Sequence, residues 1–431
     1  MTYPAAIQYL FGLQKHGIKL GLETMRLLLQ ALGNPERRLR VLHIGGTNGK
    51  GSTAAMAAAI LEASGMRVGL YTSPHLVEFR ERIRVNGAMI SEEHLTTLVE
   101  VVLAAVPPSM SPTFFEVTTA MALRYFADSH VDIVVLEVGM GGRFDATNVV
   151  MPTACAITTI ALDHQEYLGW TEATIAHEKA GIIKAGVPVV IGNMAVEAET
   201  VMRHMADKLN APLWKFGNEF SVEGNGPERF TYRGPTWQFN DLRCGLAGQH
   251  QLENAACALA LLEAAAPSDV VITETAIREG MRSVAWEGRL EIAEEHPSIL
   301  LDGAHNPAAA LMLARYLKEF LASHPGSRIL LVWGMMREKD HRAFIAPLLP
   351  LLSEIVLTQA SLARSASVNE LRSSLSEYHM PVHAEPHPAD ALRTAKQRAA
   401  SDDLICVAGS LMLLGDIKAV MRGRSLSLIR G

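Results

Sequence analysis

The sequence alternates short apolar runs with helical patterns, and this alternation most constrains the fold. From Arg40 the order is "RVLHI", "STAAMAAAILEASG" and "MRVGLYT", which is typical of a strand, a helix and a second strand. Such a unit places its two strands in parallel. Later runs at residues 131–138, 153–161 and 187–192 have the valine and isoleucine content of strands covered on both faces. We therefore predict an α/β fold around a parallel sheet.

The pattern changes twice further along the chain. Residues 213–245 carry turn glycines and prolines between alternating residues, which predicts a small antiparallel insertion. Around residues 283–292 the helical pattern stops, and a second series of strands begins, read as "SILLD", "RILLVWG", "EIVLT", "PVHAE" and "LICVAG". We predict two α/β domains, residues 1–286 and a smaller, Rossmann-like domain at 287–431, with a hinge near Glu287.

Composition limits the classes of partner. The 431 residues include 39 Lys and Arg against 45 Asp and Glu with no long run of one sign, so no nucleic-acid partner is expected. There is no apolar run of about 18 residues and no secretion signal, so no membrane partner is expected. The four cysteines are widely separated, which fits neither a zinc site nor a disulfide framework. We expect a cytoplasmic protein that acts on small molecules.

The segment "VLHIGGTNGKGST" joins the first strand to the following helix. Its glycines allow backbone N–H groups to approach a phosphate, and Lys50 supplies a charge for the β- and γ-phosphates. The spacing differs from the usual G-x-x-x-x-G-K-[ST], because Ile44 takes the first glycine position and Gly51 separates Lys50 from Ser52. A flexible glycine turn is the alternative. The position between a strand and a helix favours a nucleotide site.

Three polar residues follow the ends of other predicted strands, namely Ser73, Glu137 and His164. Ligands of open α/β sheets bind at the carboxyl ends of the strands, so these side chains are expected near the phosphate loop. A hydroxyl, a carboxylate and an imidazole can hold one Mg²⁺ together with phosphate oxygens and water, although His is an unusual magnesium ligand. Taken singly, each has an ordinary structural alternative: a helix cap, a paired carboxylate and a loop histidine. Their shared position favours a metal site.

These residues and several further motifs resemble one known family, the folylpolyglutamate synthases and dihydrofolate synthases of the Mur ligase superfamily. The resemblance covers residues 17–415, and its motifs are "GTNGKGST", "YTSPHL", "FFEVTTA", "EVGMGGRFDATN", "LDHQEYLG", "HEKAGIIK", "WEGRLE", "LDGAHNP" and "VAGSLMLLG". The altered loop spacing is that of the family. The resemblance implies a P-loop ATPase-like first domain and a glutamate-ligase second domain, as in Mur ligases.

The resemblance also implies the reaction and its ligands. Members of this family phosphorylate a carboxylate with ATP, and the α-amine of L-glutamate then attacks the acyl phosphate. The implied Mg²⁺ ligands are again Ser73, Glu137 and His164. The implied catalytic residues include Lys50 and Asp302. The implied ATP contacts, which a closing of the two domains would assemble, are Asn48, Gly49, Lys50, Gly51, Ser52, Asn254, Arg289 and Asp302.

Lys179 in "HEKAGI" matches a lysine that the family carbamylates. A buried lysine loses its proton more readily, and the neutral amine then captures carbon dioxide to become an anionic ligand for a second metal ion. The residue pattern alone favours an ordinary solvated lysine on a helix. The family resemblance favours the carbamylated catalytic lysine.

The remaining matched motifs concern glutamate and the pterin. By resemblance, His305, Asn306 and Ser410 hold or orient the incoming glutamate, with His305 also counted as catalytic; a helix-capping histidine is the alternative for His305. An aromatic ring could stack on a pterin, and a carboxylate could pair with its amino and ring N–H groups. The matched pterin segments are Phe114, Phe115, Glu116 and Val117, and Phe144, Asp145 and Ala146.

Two other classes of protein remain as alternatives. A peptidoglycan Mur ligase usually carries a further N-terminal domain, and only 44 residues precede Gly45 here. A non-catalytic nucleotide-binding module would not need Lys179, Arg289 and His305 together. Within the family, we predict a bifunctional, monomeric enzyme that takes dihydropteroate and reduced folates, with a monofunctional folylpolyglutamate synthase as the alternative.

Overall fold

The computed structural model describes residues 1–424 except positions 18, 20, 108 and 266–270. The described residues divide into two compact units. The first contains Met1–His75, Phe79–Gly245 and Gln249–Ala285. The second contains Leu76–Glu78, Leu246–Gly248 and the described chain from Trp286 onward.

A mixed sheet forms the centre of the first unit. Its strands are β1 (Val41–Gly45), β2 (Val68–Tyr71), β3 (Ile83–Val85), β4 (Ala88–Met89), β5 (Ile133–Glu137), β6 (Ala154–Ile157), β7 (Val189–Ile191) and β8 (Leu213–Lys215). Among the described residues the order is β4-β3-β2-β5-β1-β6-β7-β8. Neighbours from β2 to β8 pair in parallel, whereas β3 and β4 form an antiparallel edge. The predicted parallel sheet is confirmed.

Helices cover the strands of this sheet. They are α1 (Tyr3–Gly12), α2 (Glu23–Ala31), α3 (Lys50–Ala63), α4 (Glu92–Ala105), α5 (Phe114–Asp128), α6 (Gln165–Leu168), α7 (Glu172–Lys179), α8 (Val196–Lys208), α9 (Gln251–Ala265) and α10 (Glu274–Ser283). One apolar core joins α1, α2, α4 and α5 to β5, and another joins α7 and α8 to β6 and β7. Helix α3, which follows the phosphate loop, packs against α9 and α10. These cores fix the carboxyl ends of β1, β5 and β6 beside one another.

The predicted insertion is a three-stranded antiparallel sheet of β9 (Ser221–Gly226), β10 (Arg229–Arg233) and β11 (Gln238–Leu242). The carboxylate of Glu263 on α9 anchors it by accepting hydrogen bonds from the Tyr232 hydroxyl at 2.8 Å and the Trp237 N–H at 2.8 Å. The predicted start of the insertion at residue 213 was wrong. Strand β8 begins there and extends the main sheet by pairing in parallel with β7.

The second unit has its own sheet. Its strands are β12 (Glu291–Glu294), β13 (Ser298–Leu301), β14 (Ile329–Trp333), β15 (Glu354–Leu357), β16 (Val382–Ala384) and β17 (Leu404–Ala408). The order is β12-β13-β17-β14-β15-β16, and only β12 is antiparallel to its neighbour among these strands. The covering helices are α11 (Pro307–Ser323), α12 (His341–Ile345), α13 (Val368–Ser373), α14 (Pro388–Arg398) and α15 (Leu411–Met421).

Alternate residues of β13 and β14 enter two different apolar cores, so this second sheet is covered on both faces. The predicted Rossmann-like series of strands and helices is confirmed, and β12 is an addition that the sequence analysis did not identify. In the described part of the chain, no helix is long and apolar enough to cross a membrane.

Candidate active site

The phosphate loop lies between β1 and α3, as predicted. Gly46 and Gly49 have φ angles of 139° and 87°, which L-amino acids with side chains rarely adopt. A Cβ atom on Gly46 would lie 2.1 Å from Thr158 Oγ1, and one on Gly49 would lie 2.2 Å from Asn254 Oδ1. Both glycines are therefore required by their conformation and by the close approach of neighbouring side chains.

Two threonines that the sequence analysis missed hold this loop from the end of β6. The carbonyl of Asn48 accepts hydrogen bonds from Thr158 Oγ1 at 2.6 Å and from Thr159 Oγ1 at 3.1 Å. The N–H of Asn48 also donates to Thr159 Oγ1 at 3.1 Å. In the sequence, the feature that could have indicated them is a pair of hydroxyl residues directly after a strand that neighbours β1. These contacts fix the peptide of Asn48, a predicted ATP contact.

Two lysine ammonium groups converge on the loop. The Nζ atoms of Lys50 and Lys179 both donate to the Gly46 carbonyl, at 3.2 and 2.8 Å, and Lys50 also donates to the Thr47 carbonyl at 3.0 Å. No side chain caps the N-terminus of α3, where Gly49 is the N-cap residue. An uncapped helix N-terminus next to the Lys50 ammonium group favours the binding of an anion.

Lys179 is buried rather than solvated, with 5% of its surface exposed. Burial and, to a smaller extent, the charge of the neighbouring Lys50 lower its pKa to about 7, although Asp163 and Asp145 oppose the shift. The neutral amine is therefore well populated near neutral pH. The alternative of a solvated surface lysine is wrong.

Helix α9 brings a second group of polar side chains to the loop. Asn254, a predicted ATP contact, lies against Gly49 and donates from Nδ2 to Gln251 Oε1 at 2.9 Å. Ser52 is buried in the first turn of α3, and Gln251 Nε2 lies 3.5 Å from its hydroxyl. Gly51 is also buried in this first turn.

The structure brings together two of the three predicted metal ligands. Glu137 is buried at the end of β5, and its Oε2 atom accepts a hydrogen bond from the Ser73 N–H at 3.0 Å. His164 has a side chain that is 40% exposed, and its Nε2 atom lies 4.0 Å from Asp163 Oδ2. No cluster of three or more His, Cys, Asp or Glu side chains within the described ranges could hold a metal ion. The metal role of His164 stays a prediction.

The aromatic residues of the pterin segments differ in exposure. Phe144 is 42% exposed. Phe114 is half-buried and stacks on Phe11, with ring centroids 5.6 Å apart. Phe115 is half-buried and packs against Gly139, and Val117 and Ala146 are buried. Phe144 is thus the most exposed aromatic ring of these segments, and stacking of any of the three rings on a ligand stays a prediction.

The two carboxylates of the pterin segments cap backbone groups in the structure. Glu116 accepts a hydrogen bond from the Thr113 N–H at 2.7 Å and completes the capping box of α5. Asp145 accepts from the N–H groups of Thr147 at 3.0 Å and Met140 at 2.8 Å. Burial raises the pKa of Asp145, and its hydrogen bonds oppose that shift. Direct pairing of either carboxylate with a pterin stays a prediction.

The second unit gathers its own predicted residues at the carboxyl end of β13. Asp302 is buried and accepts hydrogen bonds from the N–H groups of Leu290 and Ala304, both at 2.9 Å. The guanidinium of Arg289 lies against Gly303, because a Cβ atom there would be 2.3 Å from Arg289 Nη1. His305 Nδ1 lies 2.7 Å from the Gly303 carbonyl. Since a carbonyl only accepts, this nitrogen carries the proton.

Asn306 and Ser410 begin helices of this unit. Asn306 Oδ1 accepts from the Ala309 N–H at 2.9 Å and caps α11, so the alternative of a capping His305 is wrong. Ser410 Oγ accepts from the Met412 N–H at 3.1 Å and caps α15. The N–H of Gly409 donates to the Ala304 carbonyl at 2.9 Å, which joins the two loops. The predicted glutamate residues therefore share one sheet edge.

Two models of Mur ligase domains match this chain. The Mur ligase middle domain matches residues 44–262, and the Mur ligase glutamate ligase domain matches residues 288–411. The first match contains the phosphate loop. The second contains the loop that follows β13.

Relatives and solved structures agree with these matches. The chain is 37% identical to the dihydrofolate synthase/folylpolyglutamate synthase of Bacillus subtilis, over 97% of this chain and 98% of the relative. A solved structure of Escherichia coli FolC with DHPP and ADP has 32% identity, a TM-score of 0.90 and 98% coverage of both chains. The Yersinia pestis bifunctional enzyme with AMPPNP and Mn has 31% identity, a TM-score of 0.87 and the same coverage. The chain belongs to the dihydrofolate synthase/folylpolyglutamate synthase family of the Mur ligases.

Proposed function

We propose that this chain is an ATP-dependent ligase that adds L-glutamate both to dihydropteroate and to the γ-carboxylate of reduced folates. The observation that carries the proposal is the uncapped N-terminus of α3 with the Lys50 ammonium group beside it, on the Gly46 carbonyl. It provides the cationic, amide-rich surroundings that a transferred phosphoryl group requires. Membership of the family supplies the substrate class.

The reaction has two steps. A carboxylate oxygen of the folate substrate attacks the γ-phosphorus of ATP, and the bond to the departing ADP oxygen breaks. The glutamate amine then attacks the acyl carbon, phosphate leaves, and the amine gives up a proton as the amide forms. We assign to Lys50 and the first turn of α3 the binding of the phosphate oxygens. Asn48, Gly49, Gly51, Ser52 and Asn254 would shape the remaining ATP contacts.

Ser73 and Glu137 fit a divalent metal ion by their chemistry. Both offer oxygen atoms, which Mg²⁺ prefers, and the buried carboxylate supplies negative charge at the end of β5. We propose that they hold Mg²⁺, with His164 as the third ligand. When bound, such an ion neutralises charge on the β- and γ-phosphates. The Mn ion in the structure of the Yersinia pestis relative supports the binding of a divalent ion by the family.

We propose that Lys179 is carbamylated and serves as a ligand of a second ion. Its burial and its pKa of about 7 favour the neutral amine that reacts with carbon dioxide. Lys179→Ala is expected to lower kcat about 100-fold, and short carboxylic acids are expected to restore part of the activity. Lys208→Ala, on the exposed surface of α8, is the matched control. Full activity of Lys179→Ala would contradict the assignment.

We assign the second unit to glutamate binding and to part of the ATP site. Residues 1–286 would form the ATP-binding domain and residues 287–431 the glutamate-ligase domain, which the positions of the two family-model matches support. His305, Asn306 and Ser410 would hold glutamate. Arg289 and Asp302 would contact ATP. A cytoplasmic location stays a prediction, and the four free, buried cysteines are consistent with it.

One assay tests the proposal. The purified protein receives ATP, Mg²⁺ and L-glutamate with either dihydropteroate or tetrahydrofolate, and glutamate-dependent ADP release and the amide product are measured. We expect turnover with both substrates. Turnover of tetrahydrofolate alone would identify a monofunctional folylpolyglutamate synthase. Turnover of neither would contradict the proposal and favour another amide ligase or a nucleotide-binding module.

A further inference from the structure

Arg82 is a buried cation that the reaction above does not use. It ends a short 3-10 helix, Phe79–Arg82, and only 7% of its surface is exposed. Its Nε atom donates a hydrogen bond to His75 Nδ1 at 2.9 Å. Within the described part of the chain, no Asp or Glu forms an ion pair with Arg82, and its two Nη atoms have no hydrogen-bond partner.

Aromatic rings surround this guanidinium. Its central carbon lies 5.3 Å from the ring centroid of Phe114 and 5.9 Å from that of Phe79. The rings attract a cation. Phe114 is one of the residues predicted to bind the pterin.

A buried guanidinium without a direct ion pair is unfavourable, because it has lost water without a counter-charge in contact. Burial lowers the pKa of Arg82, while the more distant charges of Tyr71, Glu137 and Glu81 raise it. Arginine nevertheless stays protonated in proteins. The hydrogen bond to His75 fixes Nε and leaves the Nη1 and Nη2 pair, whose two parallel N–H bonds match the two oxygens of a carboxylate.

The surroundings of Arg82 connect the predicted pterin surface to the predicted phosphate edge. The guanidinium lies over the ring of Phe114 and is close enough to Glu137 to interact with its charge. Glu137 in turn binds the N–H of Ser73, two residues before His75. A folate substrate needs its reacting carboxylate between these two regions, since one end of the molecule is the pterin and the other receives the phosphoryl group.

We propose that Arg82 binds the reacting carboxylate of the folate substrate through Nη1 and Nη2 and presents it to the γ-phosphate of ATP. This rests on the proposed function. In the step that Arg82 assists, a carboxylate oxygen forms a bond to the γ-phosphorus and the bond to ADP breaks. Arg82 keeps all its protons throughout, and His75 acts as a positioning residue by holding Nε.

Equilibrium binding tests the proposal without requiring turnover. Dissociation constants of dihydropteroate and of its neutral carboxamide are measured by calorimetry for the wild type, Arg82→Gln, Arg82→Lys and the control Arg84→Gln. Arg84 lies two residues along the chain, is half-buried and donates from Nε to the Glu81 carbonyl. We expect the wild type and Arg84→Gln to prefer the carboxylate by about 10- to 100-fold, as charge-assisted hydrogen bonds do.

In Arg82→Gln the preference for the carboxylate over the carboxamide is expected to disappear. The affinities for the carboxamide and for ATP are expected to change less than about two-fold, because Nη1 and Nη2 of Arg82 contact only the charged carboxylate. Arg82→Lys keeps a positive charge without the paired Nη atoms and is expected to show an intermediate preference for the carboxylate. If Arg82→Gln does not fold, Arg82→Lys tests the proposal. An unchanged preference in Arg82→Lys, or equal weakening of both ligands in Arg82→Gln, would overturn the proposal. Normal turnover by the wild type together with either result would leave the ligase function intact.

Discussion

The loop at Gly46 in the first unit and the loop at Gly303 in the second unit have the same position in their sheets, after a buried strand and before a helix. They begin their helices differently. Helix α11 begins with Pro307 and is capped by the Asn306 side chain, whereas α3 follows a left-handed Gly49 and has no side-chain cap. The Asn306 cap satisfies one amide group of α11, whereas the uncapped N-terminus of α3 can offer its amide groups to an anion. This difference supports the proposal that the first loop binds phosphate.

The strands that precede the two loops also differ, because one buries a polar side chain and the other buries apolar side chains. Strand β13 contributes the apolar side chains of Leu300 and Leu301 to the core, but β1 buries His43. His43 Nε2 lies 2.8 Å from Thr147 Oγ1, which donates to Asp145 Oδ1 at 2.5 Å. The Thr147 hydroxyl gives its proton to Asp145, so it accepts the proton of His43 Nε2. A buried polar chain thus supports the first site, and apolar packing supports the second.

The largest effect is expected from removing the charge of the first loop. Lys50→Met is expected to lower kcat about 100- to 1,000-fold, because one positioned donor to a transition-state charge is lost. Lys208→Met, on the exposed surface of α8, is the control and should keep full activity. Steady-state kinetics with saturating ATP measure the difference. Wild-type kcat in Lys50→Met would show that the uncapped loop does not act on the phosphoryl group.

The next prediction compares Glu137, a proposed metal ligand, with the Ser52 hydroxyl that follows the phosphate loop. Glu137→Gln is expected to lower activity at least about 100-fold, because the proposed ligand loses its charge. Ser52→Ala is expected to lower it less than about 10-fold, because its buried hydroxyl has only a weak contact with Gln251 at 3.5 Å. Activity is measured over a range of Mg²⁺ concentrations. A larger loss in Ser52→Ala than in Glu137→Gln would reverse the assignment.

A smaller effect concerns the stability of the polar chain under β1. Burial, together with a smaller effect of the charge of Lys184, lowers the pKa of His43 to about 3. In the unfolded chain His43 takes up a proton near pH 6.5, whereas in the folded chain it stays neutral down to about pH 3. The stability that the neutral, buried His43 contributes is therefore present above pH 6.5 and is lost as the pH falls towards 3.

From pH 7 to pH 5, His43 is expected to remove about 2 kcal/mol from the free energy of unfolding, a loss that His43→Gln would not share. Urea unfolding at the two pH values measures it, and Gln keeps a donor for Thr147. Leu300, a buried residue on β13, has no group that titrates. An identical pH dependence of wild type and His43→Gln would contradict the buried neutral histidine.

The smallest effect is expected at the cap of the second loop. Asn306→Ala is expected to destabilise the protein by about 1 kcal/mol, because the amide of Ala309 loses its acceptor. Asn306→Asp retains an acceptor and is the control. Urea unfolding at pH 7 measures both variants. If Asn306→Ala and the wild type are equally stable, the Asn306 cap does not stabilise α11, and the contrast between the capped α11 and the uncapped α3 has no energetic basis.

Local patterns predicted much of this architecture. The apolar runs predicted most strands of both sheets but not β3, β4 or β12, and the glycines with Lys50 predicted the loop between β1 and α3. Side-chain periodicity and turn residues can be read locally along a sequence. Strand β8 was assigned to the insertion, because its membership depends on pairing with β7, which no local pattern records.

The parts of the site that the sequence missed depend on contacts between distant segments. Thr158 and Thr159 act on a loop 110 and 111 residues away in sequence. The lack of an ion pair to Arg82 within the described residues could be recognised only once its neighbours in space were known. The hydrogen bonds that Asp145 accepts from its own loop were also missed, and its role as a ligand for the pterin stays a prediction.

Isotope transfer tests most directly whether the first loop activates a carboxylate. Dihydropteroate carrying ¹⁸O in both carboxylate oxygens is incubated with ATP, Mg²⁺ and L-glutamate, and the released phosphate and the amide product are analysed by mass spectrometry. Phosphoryl transfer to the carboxylate predicts one ¹⁸O atom in each phosphate and one in each product. Phosphate without ¹⁸O, formed together with the amide, would contradict this account.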